Sequence, residues 1–372
     1  MRIVVFYHSL LSDWNNGGAH FLRGVVSELV SRGHEVKVFE EKNAWSYVNL
    51  YAQYGDGFVR SFEAAYPGIE SHRYELDSVD IGAALDGADM VIVHEWTDRG
   101  LVQKIGRHRQ SIGRYMLLFH DTHHRSVTDS DSMASYDLSN YDGVLASGRI
   151  VRDTYLSRGW TDNAWTWHEA ADIRIFQPIP DVVQRGDLVG VGNWGDEERT
   201  PALKEFLLGP VRELGLTARA YGVRYPKYAM PLLRDAGIDY AGWLPNFDVP
   251  EVFAQYRVTV HIPRRPYVTA LPGIPSIRVF EALACGIPLV SAPWNDVEGL
   301  FTPGEDFLVA RTGAEMKKHL KMLLNDREAA RWQAAHGLQT IRARHTCRHR
   351  VDELMKLYSD YRKELSGELR IV

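Results

Sequence analysis

Two successive series of short apolar runs, each run spaced to leave room for a helix, constrain this chain more than any other feature. The first run, "RIVVFY" (2–7), is continuous and β-rich, as expected of a parallel strand buried on both faces. Phe21, Leu22, Val25, Val26, Leu29 and Val30 then recur at helical spacing, Gly33 stops the helix, and "EVKVFE" restarts a strand. "ADMVIVHEW" (88–96), "YMLLFHD" (115–121) and "YDGVLAS" (141–147) continue the alternation. The pattern predicts an α/β fold with a doubly wound parallel sheet.

Around "HEAADIRIFQPIPDVVQRGD" the periodicity lapses, and Pro178 and Pro180 mark a linker suited to hinge motion. A second series follows: "DLVGVGNW" (187–194), the helix-like "PALKEFLLGPVREL", the strand "TARAYG", then "YRVTVHIP" (256–263), the helix "SIRVFEALACG" closed by Gly286, and the strand "IPLVSAP". Residues 314–365 read as mostly helical. The expected division is a Rossmann-like domain over 1–171, a linker over 172–186 and a second Rossmann-like domain over 187–345. A carboxy-terminal helix over 346–372 is expected to pack back on the first domain. Two such domains in tandem leave a cleft between them.

In "NNGGAHFLRG" (15–24), Gly17 and Gly18 stand where the first helix begins. Glycine permits φ > 0 and removes side chains, so a ligand can approach the free helix amides, and an anion such as a phosphate suits that place. Acidic residues number 48 and basic residues 43, a net charge of −5, which argues against a broad face for duplex nucleic acid while leaving room for a local basic site. Two cysteines, Cys285 and Cys347, make neither a disulfide framework nor a metal set, and read as buried small hydrophobes in a reducing compartment. With no signal peptide and no apolar run of membrane-spanning length, a cytoplasmic protein is expected, with peripheral membrane contact and oligomeric state left open. The 10 Trp and 18 Tyr can line a sugar- or base-binding cleft or fill the core.

Taken together, "GGAHFLRGVVSELVSRGHEV", "HEAADIRIFQP", "YAGWLPNFDVPEVFAQYRVTVHIP" and above all "PSIRVFEALACGIPLVSAPWNDVEGLFTPGEDFLVA" resemble GT-B glycosyltransferases of the retaining, nucleotide-sugar-dependent kind. The last stretch is similar to the subgroup that includes spore-maturation-protein-like glycosyltransferases. The likeness spans nearly the whole chain. It departs from the family in two places. Of the family's paired glutamates separated by seven residues, Glu281 fits the second while the first falls on Gly273, and the usual Arg and Lys are replaced by Arg199 and Lys204 in "GNWGDEERTPALK".

The resemblance implies a nucleoside diphosphate sugar as co-substrate, with no other cofactor and no metal. The leaving diphosphate must be neutralised, the sugar held against the acceptor and water excluded. Candidate donor contacts are Gly17, Gly18, Asn193, Arg199, Lys204, Trp243, Arg264, Ser276, Arg278 and Glu281. Arg199 and Lys204 can meet the diphosphate or merely decorate a solvated helix. Ser276 can cap "IRVFEALACG", with its amides open to a phosphate and Arg278 one turn in. Glu281 is implied to bind the donor ribose, since a carboxylate accepts two hydrogen bonds from a vicinal diol. Trp243 can lie by the base or in the core, and Arg264 or Arg265 can replace a missing phosphate contact.

In the first domain, His120 and Asp121 end a strand on the edge where α/β sheets bind ligands, and the family has a donor-sugar histidine at the matching place. His123 and His124 lack the further ligands a metal needs, and Asp129 and Asp131 in "DSD" read as a solvated loop. The expected activity is glycosyl transfer to an unknown acceptor. An inverting transferase, a nucleotide-sugar epimerase or a degenerate sugar-binding protein are the alternatives. A dehydrogenase is disfavoured, because no G-x-G-x-x-G follows a strand.

Overall fold

The computed structural model describes residues 1–112, 114–195 and 197–367. Its chain divides into two compact units, one formed by Met1–Glu169 with Cys347–Val372 and the other by Ala170–Thr346. Residues 368–372 of the expected terminal helix lie outside the described residues.

In the first unit the strands are β1 (Arg2–Phe6), β2 (Glu35–Glu41), β3 (Ser71–Tyr74), β4 (Met90–His94), β5 (Met116–Asp121), β6 (Gly143–Ala146) and β7 (Ala164–Thr166). They form one parallel sheet in the order β3-β2-β1-β4-β5-β6-β7. The order reverses direction between β1 and β4. In doubly wound sheets, ligands settle outside the carboxyl ends of the strands at such a point. The apolar runs explain the burial: every residue of β4, β5 and β6 is buried, as in strands covered on both faces. The short β3 and β7 lie at the two ends of the sheet order; both were missed by sequence pattern.

The first helix, Ala19–Ser31, packs against the terminal helix Cys347–Ser366 within this unit. Arg32 reaches Asp352 at 2.7 Å, and Trp167 Nε1 donates to the Arg350 carbonyl at 2.9 Å.

The second unit has β8 (Gly186–Val191), β9 (Ala218–Tyr221), β10 (Ile238–Tyr240), β11 (Tyr256–His261), β12 (Leu289–Ser291) and β13 (Leu308–Val309), again all parallel, in the order β10-β9-β8-β11-β12-β13. Its reversal falls between β8 and β11. The expected helix over 201–214 is interrupted: a π turn spans Lys204–Leu208 between α-helical Thr200–Leu203 and Gly209–Leu214. Pro210 has no N–H with which to continue the α-helical ladder, and the Gly209 N–H bonds the Lys204 carbonyl five residues back. Trp194 is the largest fully buried side chain, and it sits in the core of this unit with Leu188, Val211 and Val258. Cys285 and Cys347 are buried and are not joined in a disulfide.

Candidate functional site

At the carboxyl edge of the first sheet, β1 runs out into Tyr7 and His8, while β4 and β5 end beside each other with His94 paired to His120 in register. The rings form a row, with centroids 5.0 Å apart for His8 and His94 and 5.5 Å for His94 and His120. His120 is 3% exposed, lies 5.0 Å from Trp167 and 6.1 Å from Phe21, and its Nε2 is buried without a hydrogen-bond partner. Burial pushes both His8 and His120 down to about 3, so both are neutral imidazoles.

The loop after β1 fixes which nitrogen of His8 carries the proton. Gly18 N–H donates to Asn16 Oδ1 at 3.0 Å, which turns Asn16 Nδ2 toward His8 Nε2 at 3.0 Å and toward Ser9 Oγ. An amide nitrogen donates, so His8 Nε2 accepts and Nδ1 carries the hydrogen. That Nδ1 is buried without a partner. The buried Arg23 anchors the same loop: its Nε donates to the Leu10 carbonyl at 2.8 Å, and its two ends reach the Leu11 carbonyl and Asp13 Oδ2 at 2.9 Å.

Beneath the histidines lies a carboxyl pair. Glu95 is fully buried and accepts from Thr122 N–H and from Arg125, each at 2.9 Å, with the Arg125 guanidinium over Trp96 at 3.9 Å. Burial and the neighbouring Asp121 charge push the Glu95 carboxyl well up, and burial raises Asp121 too. Burial and like charge both disfavour ionising the two carboxyls together. Asp121 accepts from His123 N–H and from Tyr155 Oη, each at 3.0 Å, which makes it an anchor of this edge rather than a free acid or base.

In the second unit, β8 leads into Gly192 and Asn193, and β11 and β12 end with His261 paired to Ser291. Arg199 donates to the carbonyls of Asn193 and Ile262, tying the ends of β8 and β11 together, and its Nε is buried without a partner. Burial brings its guanidinium down to about 10. Asn193 spends its side-chain oxygen on Val223 N–H at 2.7 Å. Arg278, the second residue of the helix Ile277–Cys285, is ion-paired with the fully buried Glu281 and reaches Asn246 Oδ1 at 3.5 Å.

Several expectations need correction. Gly18 has φ −64° and ψ −13°, and Gly17 has no positive φ either; the left-handed residue of this loop is Asn15 at φ 57°. A Cβ at Gly18 would lie 3.3 Å from Asn16 Oδ1 and 3.5 Å from Glu169 Oε1, so it would press on the Asn16 side chain. Ser276 occupies the N-cap position but its side chain caps nothing; its hydroxyl meets His261 Nε2 at 3.0 Å. Lys204 is exposed at the start of the π turn, and no contact joins it to the Arg199 group among the described residues. Trp243 is half-buried beyond β10. Arg264 and the exposed Arg265 begin a short helix, Arg265–Thr269, rather than a loop. Asp129 and Asp131 are exposed, but Asp129 is the N-cap of the short helix Ser130–Ala134 and Asp131 lies within it.

Gly273 has φ +91°, and a Cβ built there would lie 2.6 Å from Glu298 Cγ and 3.1 Å from its Oε1. A glutamate cannot occupy this position without rearrangement; instead the Glu298 side chain lies across it. Sequence reasoning missed Glu298, along with His8, Asn16, Glu95, Arg125, His261 and Ser291. Among the described residues, no group of three His, Cys, Asp or Glu side chains is arranged to hold a metal ion, and no helix is long and apolar enough to cross a membrane.

Residues 199–356 match a family described as glycosyl transferase-like. Solved structures with the same arrangement over almost the whole chain include sucrose-phosphate synthase from Thermosynechococcus elongatus (13% identity, 99% of this chain and 100% of that one, TM-score 0.68) and Anabaena HepE in complex with UDP and glucose (14%, 97% and 100%, 0.68). An alpha-glucosyltransferase in complex with UDP and a 13-mer DNA is similar as well (10%, 96% and 99%, 0.71). No curated protein matches the chain by sequence. The fold is GT-B, and the glycosyl transferase-like match falls mostly within its second unit.

Proposed function

We propose that this chain is a glycosyltransferase that takes its sugar from a nucleoside diphosphate sugar and transfers it, with retention and without a metal or other cofactor, to an acceptor hydroxyl. The observation that carries the reading is the group at the carboxyl edge of the second sheet: Arg199 with an unpartnered Nε, Ser276 at a helix start whose first amides no side chain caps, and Arg278 in the first turn of that helix. Cations, a hydroxyl and a helix amino terminus are what a diphosphate leaving group requires. Glu281 and Trp243 are the proposed ribose and base contacts. In the first unit, Gly17, Gly18 and His120 are the proposed contacts to the sugar or the acceptor, with Asp121 and Glu95 holding that edge in shape.

In transfer with retention, the bond from the anomeric carbon to the diphosphate oxygen breaks and the bond to the acceptor oxygen forms on the same face. The departing phosphate takes the acceptor's proton, so no enzymic nucleophile is needed. UDP and glucose in one structural relative make UDP-glucose the first donor to try. Glu298 across Gly273 supplies a carboxylate where the family's first glutamate is absent, which favours an enzyme over a degenerate binding protein. Work in the cytoplasm follows from the same reading.

The test is a thermal-shift screen of UDP, ADP and GDP and their glucose conjugates, since a ligand of the native state raises its stability. A diphosphate should raise the melting temperature, its conjugate should be slowly hydrolysed without acceptor, and a chelator should change neither. Loss of hydrolysis on chelation, restored by manganese or magnesium, refutes metal independence. A product of inverted anomeric configuration moves the chain to the inverting class, and no response to any diphosphate removes the proposal.

A further inference from the structure

His261, Ser276 and Ser291 form a hydrogen-bonded chain at the carboxyl edge of the second sheet. His261 Nδ1 lies 2.9 Å from Ser291 Oγ, its neighbour in the strand ladder, and His261 Nε2 lies 3.0 Å from Ser276 Oγ. His261 is 4% exposed and Ser291 fully buried, while Ser276 is half-buried. The proton positions follow from the far end. Ser291 Oγ donates its single hydrogen to the Ala292 carbonyl at 2.7 Å, so toward His261 it can only accept. His261 Nδ1 therefore carries the hydrogen, Nε2 is bare, and the Ser276 hydroxyl donates to it. In this arrangement Ser276 presents only lone pairs to a ligand, and lone pairs repel a phosphate oxygen.

The chain has a second arrangement with the same number of hydrogen bonds. Ser291 turns its hydrogen from the Ala292 carbonyl to His261 Nδ1, His261 carries its hydrogen on Nε2 and donates to Ser276 Oγ, and Ser276 donates outward. The two hydroxyls rotate, and the imidazole gives up its Nδ1 hydrogen and gains one at Nε2 by exchange with solvent, so the number of protons on the protein is the same in both arrangements. One neutral bond, to Ala292, is exchanged for a bond to an anion, and charge-assisted bonds are about twice as strong as neutral ones. Burial and the nearby Arg199 charge push His261 down to about 3, which keeps the imidazole neutral and so confines it to these two tautomers.

We propose that His261 is a positioning residue for the leaving group: a phosphate oxygen of the bound nucleoside diphosphate switches the imidazole from its Nδ1–H to its Nε2–H form and so turns the Ser276 hydroxyl into a donor. The inference rests on the reading that the second unit holds a nucleoside diphosphate. Ser291, which lies behind His261 in the chain, sets how readily the switch occurs.

The test uses the full chain labelled with ¹⁵N-histidine, with the His261 ring signals assigned from their loss in His261→Gln. Long-range ¹H–¹⁵N spectra distinguish the two tautomers directly. The free protein should show His261 protonated at Nδ1, and saturating UDP, or whichever of ADP and GDP binds, should move the proton to Nε2. Should His261→Gln fail to fold, Ser276→Ala and Ser291→Ala identify the same signals by their shifts. Ser276→Ala should keep the Nδ1–H form with ligand bound and lose about tenfold or more in diphosphate affinity. Ser276→Thr should restore both. Ser291→Ala removes the competing bond to Ala292 and the acceptor of Nδ1–H, so it should favour the Nε2–H form and strengthen diphosphate binding while leaving affinity for the bare nucleoside unchanged, an effect that a merely structural serine would not produce. Backbone shifts in the second unit on adding UDP with an unchanged Nδ1–H tautomer overturn the switch and leave the donor reading standing. Absence of any response to UDP, ADP and GDP overturns both. Inorganic phosphate alone switching the tautomer shows that the anion, not the nucleoside, drives it, as proposed.

Discussion

Replacing His120 by Phe separates a functional from a structural histidine. In a core held together by packing, a buried ring nitrogen without a partner is a liability of about 1–3 kcal/mol, and His120 Nε2 is such a nitrogen among Phe21, Trp167 and His94. Phenylalanine removes that cost and adds a little volume, for which a tight core charges about the same 1–3 kcal/mol. The net change at pH 7.5 should therefore lie near zero. The pH dependence has a definite sign. Folding lowers His120 from 6.5 to about 3, so its contribution is full above pH 6.5 and is lost as pH falls from there toward 3. At about 1.4 kcal/mol per pH unit, His120→Phe should gain up to about 2 kcal/mol on the parent protein between pH 6.5 and pH 5. Urea unfolding at several pH values reads both quantities. Donor hydrolysis, followed by UDP release, should fall by about 10²-fold or more. A variant that is markedly less stable at pH 7.5 yet hydrolyses donor at the parental rate would make His120 a core histidine and sink the argument.

Other consequences can be tested separately. Glu281→Ala should weaken nucleoside diphosphate binding by about 1–3 kcal/mol, the worth of hydrogen bonds to a charged group, and calorimetric titration giving parental affinity removes Glu281 from the donor site. Arg23→Met should cost about 3–5 kcal/mol, as expected when a buried carboxylate loses its cation, here Asp13; Asp13→Asn on top of it should recover part of the loss, and a cost below about 1 kcal/mol in urea unfolding contradicts the anchoring role. Gly273→Ala should destabilise by about 1–3 kcal/mol because its φ is +91° and its Cβ meets Glu298. In the Glu298→Ala background the same change should cost less, so additive melting shifts argue against the contact.

Much of the fold was legible because parallel strands covered on both faces are written as apolar runs: β1, β4 and β5 are nearly unbroken, and β8 and β11 keep a Val-rich centre. The three-residue β7 and β10 are too short to carry a period, and the π turn at Lys204–Leu208 comes from a local conflict at Pro210 that residue spacing does not express. The site was less legible. Ser276 has the identity of a cap and the position of a cap, and only the tertiary placement of His261, fifteen residues earlier, diverts its hydroxyl. Gly273 read as a missing glutamate because nothing in its neighbourhood of sequence announces Glu298. One signal was present and was only partly used: "RIVVFYH", "MVIVH", "MLLFH" and "VTVH" all finish in histidine, and only the third was singled out.

That repeated ending has a physical reason. The carboxyl ends of the strands beside the reversal point are the places where an apolar run must meet a polar ligand, and the last side chain has to be both buried and able to hydrogen-bond. A buried lysine or carboxylate there would carry a charge costly to desolvate, whereas an imidazole gives up its charge cheaply, since its ordinary value is already near 6.5. Neutral imidazole offers one donor and one acceptor and exchanges them by tautomerisation. His8 presents Nδ1–H because Asn16 occupies its Nε2, and His261 presents a serine whose polarity its own tautomer sets. Sugar hydroxyls both donate and accept, and phosphate oxygens only accept. Strand-end histidines that are neutral and individually fixed by their neighbours can meet either kind of partner without placing a net charge in the core. The costs fall on acid stability, since each of these rings must protonate on unfolding below pH 6.5. Loss of stability on acidification should therefore begin near that value and diminish stepwise as His8, His120 and His261 are replaced.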